Sequence, residues 1–212
     1  MTVVHVLAGG EPMPARRLLD LGSADVVIAA DSGAESAAAA GLAVDILVGD
    51  LDSITKRTLD ELIDGGTSIE AHHPDKDATD LELALATALD RGADEIVVVG
   101  GGGRRLDHLL GNVAVVTSQA LRHVTVRWEL ERETAYVVHR RRAIPITAGS
   151  TFSLIPIAGD AHGVTLTGSK WNLRDTKLDA GTSLGISNIA IDNQLDVEVS
   201  DGTLLVVVNS YH

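Results

Sequence analysis

The chain has 212 residues, a formal net charge of −13, no cysteine, 45% hydrophobic residues and only 2% aromatic ones. The charge argues against nucleic acid or an anionic membrane as partner, because both repel an acidic surface. The lack of cysteine excludes disulfides, thiolate nucleophiles and zinc–thiolate sites, and the apolar content predicts a folded core of Val, Ile, Leu and Ala.

Residues 2–7 have no basic segment before them and meet Gly9-Gly10 too early for a signal peptide. No apolar run approaches membrane-spanning length, so a soluble cytoplasmic protein without a membrane partner is expected. Going along the chain, residues 3–8, 26–30, 46–48 and 96–99 are short, nearly all-apolar runs, the pattern of strands buried on both faces. Helical patterns lie between and after them at residues 14–21, 35–40, 55–63, 79–91 and 104–121. In the clearest, Leu81, Ala84, Leu85, Ala88 and Leu89 recur at helical spacing until Gly92 stops the turn. This alternation predicts an α/β fold, an N-terminal domain (residues 1–138) with a mostly parallel sheet. From about residue 123 the helices disappear, and closely spaced strands at 124–128, 135–138, 151–157, 164–167, 195–199 and 204–208 predict a C-terminal β-sandwich domain (residues 139–212). The basic run His139-Arg140-Arg141-Arg142 reads as a solvated connection between the two.

Three acidic turns follow the early strands: Asp31-Ser32-Gly33, Gly49-Asp50-Leu51-Asp52-Ser53 and Lys76-Asp77-Ala78-Thr79-Asp80. Ligands of open α/β sheets collect beyond the carboxyl ends of the strands. Any one such turn is explained by the fitness of aspartate for turns and caps. Three in one sheet point to a cation and phosphate site. Asp50 and Asp52 share a face if their segment is extended, which lets two carboxylates meet one ion. Thr79 reads as a helix cap in a capping box with Glu82, which places Asp80 at the first helical position. Gly100–Gly103 precede a helix whose first residues include Arg105 and Asp107, a place where backbone can approach phosphate. The run is neither a Walker A loop nor a dinucleotide fingerprint. His108 reads equally as a packing residue or a ligand.

In this order, Asp31-Ser32-Gly33-Ala34, Gly49–Ser53, Asp75–Asp80, Gly103–His108 and Ser187-Asn188 resemble the motif series of the thiamine pyrophosphokinase family. The resemblance implies an α/β nucleotide-binding domain followed by a β-sandwich thiamine-binding domain, in a homodimer with sites at the interface. It implies Mg²⁺-dependent transfer of pyrophosphate from ATP to thiamine, with AMP released. On that resemblance Asp31, Asp50, Asp52 and Asp80 fall on the positions that organise Mg²⁺ and the triphosphate. Lys76, Asp77, Thr79, Arg105 and Asp107 match the nucleotide-binding motifs, and Ser187 and Asn188 the motif near thiamine. Asp50, Asp52, Asp80 and Arg105 are the expected catalytic set. Ser32, Leu51 and Ile186 depart from the usual family residues, and no aromatic lies between Asn188 and Tyr211. Trp171 is then a candidate stacking face for the acceptor, or a core or dimer-contact residue. Alternatives that share the acidic turns are a pyrophosphokinase of another hydroxymethyl heterocycle such as a pterin, a non-catalytic nucleotide sensor and a divalent-metal hydrolase.

Overall fold

The computed structural model describes residues 1–11, 13–73, 77–103 and 105–209. Its internal contacts divide it into two units, Met1–Val115 with His123–Glu131, and Val116–Arg122 with the chain from Arg132 onward.

In the first unit six strands pair in parallel: β1 (Val3–Ala8), β2 (Val26–Ala30), β3 (Ile46–Gly49), β4 (Ser68–Ala71), β5 (Glu95–Gly100) and β6 (Thr125–Glu129). Their order is β4-β3-β2-β1-β5-β6. The helices are α1 (Ala15–Leu19), α2 (Gly33–Ala40), α3 (Lys56–Asp64), α4 (Asp80–Asp90) and α5 (Leu106–Val116). One face of the sheet, with Leu7, Ala29, Leu47, Val97 and Val99, packs on Leu18 of α1, Ala34 and Ala37 of α2 and Leu62 of α3. α4 packs across β1, β2 and β3 and buries Leu81, Ala84, Leu85 and Ala88. Burial on both faces is why these strands read as continuous apolar runs. The chain leaves β1 toward β2 but leaves β5 toward β6, on opposite sides. A crevice therefore opens beyond the carboxyl ends of β1 and β5.

The second unit is antiparallel throughout: β7 (Glu133–Val138), β8 (Arg141–Pro145), β9 (Thr151–Thr167), β10 (Leu173–Leu178), β11 (Asn188–Ile189), β12 (Gln194–Glu198) and β13 (Asp201–Asn209). Residues 152–157 of β9 pair with β13, whereas residues 165–167 pair with β12. Positive φ at Ala158 (61°) and Gly159 (148°) lies between the two stretches. Phe152, Leu154, Leu166, Leu178, Leu195 and Val206 form part of its core.

β7 pairs along its length with β13, from Glu133↔Asn209 to Val138↔Leu204. Two sequence expectations change here. The basic run is not simply a solvated connection. Arg141 and Arg142 open β8 and pair with Glu198 and Val197, and the Arg142 guanidinium lies 4.9 Å from the centre of the Tyr136 ring. The runs at 151–157 and 164–167 belong to one strand.

Candidate active site

Adjacent parallel strands deliver the acidic turns to one edge of the sheet. Asp31 follows β2, and Asp50 and Asp52 follow β3, and carboxylate oxygens of the three lie within 4.8 Å of one another. Asp31 is only 9% exposed, and its buried Oδ1 has no hydrogen-bond partner among the described residues. A buried carboxylate oxygen without a donor is costly, and a divalent cation bound by oxygen ligands would satisfy it. Burial pushes the Asp31 carboxyl up from its ordinary value. The nearby Asp80 and Asp50 charges push the same way, against hydrogen bonds from the Ser32 backbone and the Ser53 side chain. A cation among these groups would turn mutual repulsion into shared attraction, so the residues present fit a divalent metal ion.

The local backbone makes the convergence. Asp31 has φ of 45° and Leu51 of 66°, a left-handed conformation that aspartate tolerates and leucine adopts at a cost. Leu51 packs against the core beneath the turn, which holds the strained residue in place. Asp50 and Asp52 therefore converge through a tight turn and not through the extended segment expected from their spacing. The turn is tied by the Asp52 backbone N–H donating to Asp50 Oδ1 at 3.3 Å and Ser53 Oγ donating to Asp52 Oδ1 at 2.8 Å.

Asp80 arrives from α4. Thr79 caps that helix as the sequence predicts, its Oγ1 accepting from the Glu82 N–H at 3.2 Å. A Cβ on Gly49 would stand 3.1 Å from Asp80 Oδ1 and 3.2 Å from the Asp31 Cβ, so Gly49 leaves room for the two acids side by side. Asp77 is exposed, and Lys76 lies outside the described residues.

The opposite wall is glycine backbone from two loops. The Gly101 N–H donates to the Gly9 carbonyl at 2.9 Å and the Glu11 N–H to the Gly102 carbonyl at 3.2 Å. A Cβ on Gly10 would come within 2.4 Å of the Gly102 oxygen. Asn112 Nδ2 donates to the Gly101 carbonyl at 2.8 Å, and Trp128 Nε1 to that of Gly100 at 2.6 Å. The glycine run is thus a fixed wall. The roles of Gly9, Gly10, Glu11, Asn112 and Trp128 in this wall were not read from the sequence, although two glycines directly after β1 were a usable signal.

Arg105 stands just before α5 and meets Asp107 through two bonds, Nη2 to Oδ2 at 2.6 Å and Nε to Oδ1 at 3.2 Å. The hydrogen bond from Arg105 holds the Asp107 carboxyl down to about 2. Both side chains are about two-thirds exposed, at 69% and 65%, so incoming phosphate oxygens can exchange with Asp107 as partners of the guanidinium. His108 is exposed rather than packed. Together the acids, the glycine wall, Arg105 and His108 line a cavity of about 780 Å³.

The model of the thiamin pyrophosphokinase catalytic domain matches residues 19–127, and that of the thiamin pyrophosphokinase vitamin B1 binding domain matches residues 136–204. The chain belongs to the thiamin pyrophosphokinase family, a family of enzymes. It is 28% identical over 214 residues to thiamine pyrophosphokinase of Bacillus subtilis (strain 168), covering 98% of each chain. It is also 28% identical over 181 residues to thiamine pyrophosphokinase 3 of Oryza sativa subsp. japonica, covering 79% of this chain and 67% of that one. The crystal structure of thiamine pyrophosphokinase from Bacillus subtilis covers all of both chains with a TM-score of 0.88 and 26% identity. The mixed α/β fold is thus that of the thiamin pyrophosphokinase family.

Within the span of the vitamin B1 model, Asn188 is buried and clamps Trp171 from both sides. Its Oδ1 accepts from the Trp171 N–H at 3.3 Å and its Nδ2 donates to the Trp171 carbonyl at 2.9 Å. The indole is 53% exposed, with Lys170 Nζ 4.7 Å from a ring centre. Ser187 is exposed at φ of 60°, its N–H donating to Ser153 Oγ at 3.1 Å.

Proposed function

We propose that this chain transfers pyrophosphate from ATP to the hydroxyl of thiamine, giving thiamine pyrophosphate and AMP. The observation that carries the reading is the meeting of Asp31, Asp50 and Asp52, with the orphaned Asp31 Oδ1 among them, opposite a glycine wall at the crevice of a parallel sheet. Asp31, Asp50, Asp52 and Asp80 would hold Mg²⁺. An Mg²⁺ ion held by these carboxylates would supply positive charge to offset that of the triphosphate.

The chain's own residues contribute position and charge. Glycines 9–10 and 101–103 present no side chains, so phosphates can lie close to backbone, and the N-terminus of α5 favours anions there. Arg105 offsets phosphate charge once its pairing with Asp107 is exchanged. Asp77, Thr79 and Asp107 border the nucleotide, and Lys76 completes that set by resemblance. The hydroxyl oxygen attacks the β-phosphorus as its proton passes to solvent, the bond to the oxygen bridging the α- and β-phosphates breaks, and AMP leaves with that oxygen.

The second unit serves as the β-sandwich that receives thiamine. Asn188 positions the Trp171 ring, whose electron-rich face suits the flat, cationic thiazolium, and Ser187 lies beside it in sequence. A domain boundary between residues 138 and 139, a cytoplasmic location and a homodimer complete the reading. Leu106 and Leu110, one turn apart on α5 and 67% and 59% exposed, favour a second copy as partner. The test is incubation with ATP and Mg²⁺, with and without thiamine, resolved by mass spectrometry. Thiamine pyrophosphate and AMP appearing together, only with thiamine present, is the expected result. Product with a pterin alcohol alone, or phosphate release without any acceptor, would overturn it.

A further inference from the structure

The Asp50–Asp52 turn is held from outside by a residue that no motif contains. α3 is capped at its N-terminus by Thr55, whose Oγ1 accepts from the Thr58 N–H at 3.3 Å. In a complete capping box, a Glu or Gln three residues after the cap reaches back to the N–H of the cap residue. Here that position is Thr58, whose side chain is too short to do so. Glu35, in the first turn of α2, takes its place. Its Oε1 accepts the Thr55 N–H at 2.7 Å and its Oε2 accepts from Thr58 Oγ1 at 2.8 Å.

One carboxylate on α2 thus completes the cap of α3. Asp31 lies four residues before Glu35, and Asp52 lies three residues before Thr55. The clamp joins the two chain segments that carry the converging carboxylates. Leu51 and Ile54 anchor the intervening loop in the core, and Ser53 Oγ holds Asp52. The Asp31 N–H donates to the Val48 carbonyl at 2.8 Å just before the turn, and the Glu35 clamp adds a second tie just after it.

We infer that Glu35 is a positioning residue: its contacts with Thr55 and Thr58 hold the Asp50–Asp52 turn at the distance from Asp31 at which the three carboxylates share one divalent cation. The inference rests on the metal reading of the carboxylates and not on the identity of the acceptor. Groups that orient metal ligands from behind typically affect metal affinity by about 10–100-fold.

The experiment is titration of the purified full-length protein with Mn²⁺, followed by calorimetry, without ATP or thiamine, and with folding checked by circular dichroism. Glu35→Ala is expected to fold and to weaken Mn²⁺ binding by about tenfold or more. Glu35→Gln keeps an acceptor for the Thr55 N–H and is expected to restore most of the affinity. Thr58→Val removes one of the two contacts and is expected to fall between. In turnover the Mg²⁺ concentration for half-maximal rate should rise in the same order, while kcat at saturating Mg²⁺ changes less. A folded Glu35→Ala variant with native Mn²⁺ affinity would overturn the inference, as would Glu35→Gln binding as weakly as Glu35→Ala. If Glu35→Ala does not fold, native affinity in folded Thr58→Val overturns it. Absence of Mn²⁺ binding by the unaltered protein would instead sink the metal reading itself.

Discussion

Trp128 Nε1 donates to the Gly100 carbonyl at 2.6 Å, tying β6 to the last residue of β5, where the glycine wall begins. Trp128 is 1% exposed, so its indole N–H has no water to turn to if the bond is lost. Trp128→Phe leaves the Gly100 carbonyl short of a donor and should destabilise the chain by about 1–3 kcal/mol in denaturant melts. KM for ATP should rise in step as the wall loosens. A variant with native stability and native KM would show that the bond does not organise the wall.

Gly10 has φ of 120°, and a Cβ there would collide with the Gly102 oxygen. Gly10→Ala should therefore cost about 1–3 kcal/mol of stability and widen the gap between the two loops. Raised KM for ATP with unchanged KM for thiamine is the expected kinetic signature. Equal rises in both constants would point to general loosening instead.

Without a cation the Asp50 and Asp80 charges repel that of Asp31. Asp52→Ala should lower turnover by more than about a hundredfold while the protein stays folded. Asp31→Asn should do the same, and in metal-free buffer near neutral pH it should raise Tm. The sign follows from the raised carboxyl value. An acid whose folded value lies above its unfolded one destabilises the fold when ionised, and the penalty fades as pH falls through the folded value. A lower Tm for Asp31→Asn without metal would contradict this.

Arg105 and Asp107 form an exposed pair, and exposed pairs add little stability. Arg105→Gln should leave Tm unchanged and raise KM for ATP, measured by initial rates at saturating thiamine. A fall in Tm with unaltered KM would make the pair structural.

His5 lies 6% exposed on β1, and its Nε2 lacks a partner among the described residues. Burial pushes it down from the ordinary value of 6.5, and the Arg127 charge adds to the effect. The folded chain keeps His5 neutral where the unfolded chain takes up a proton. Its contribution to stability is complete above pH of about 6.5 and declines as pH falls below that toward the lowered folded value. His5→Val should flatten this acid limb in melts between pH 7.5 and 5; an unchanged slope would assign it elsewhere.

Much of the site was legible because its chemistry is carried by short segments. Asp31, Asp50, Asp52 and Asp80 stand in turns that follow strands or open a helix, and Thr79 announces its cap through Glu82. The turn at Leu51 was not legible, since a left-handed leucine is held by packing that no local pattern encodes. β4 and β8 were missed because Ser68–Ala71 holds no fully buried residue and β8 opens with two charged arginines, so neither shows the apolar run of a buried strand.

The sequence by itself determined the strand–helix alternation, the change to closely spaced strands without intervening helices and the acidic residues at the strand ends, because hydrophobic period and turn chemistry act over a few residues. Only the tertiary structure decided which loops face one another. The reversal of strand order between β1 and β5 sets Gly9-Gly10 against Gly101–Gly103. The adjacency of β2 and β3 sets Asp31 against Asp50 and Asp52, and Glu35 reaches α3 across more than twenty residues of intervening chain. These relations depend on sheet order and on packing between elements distant in the chain, where no local periodicity can reach.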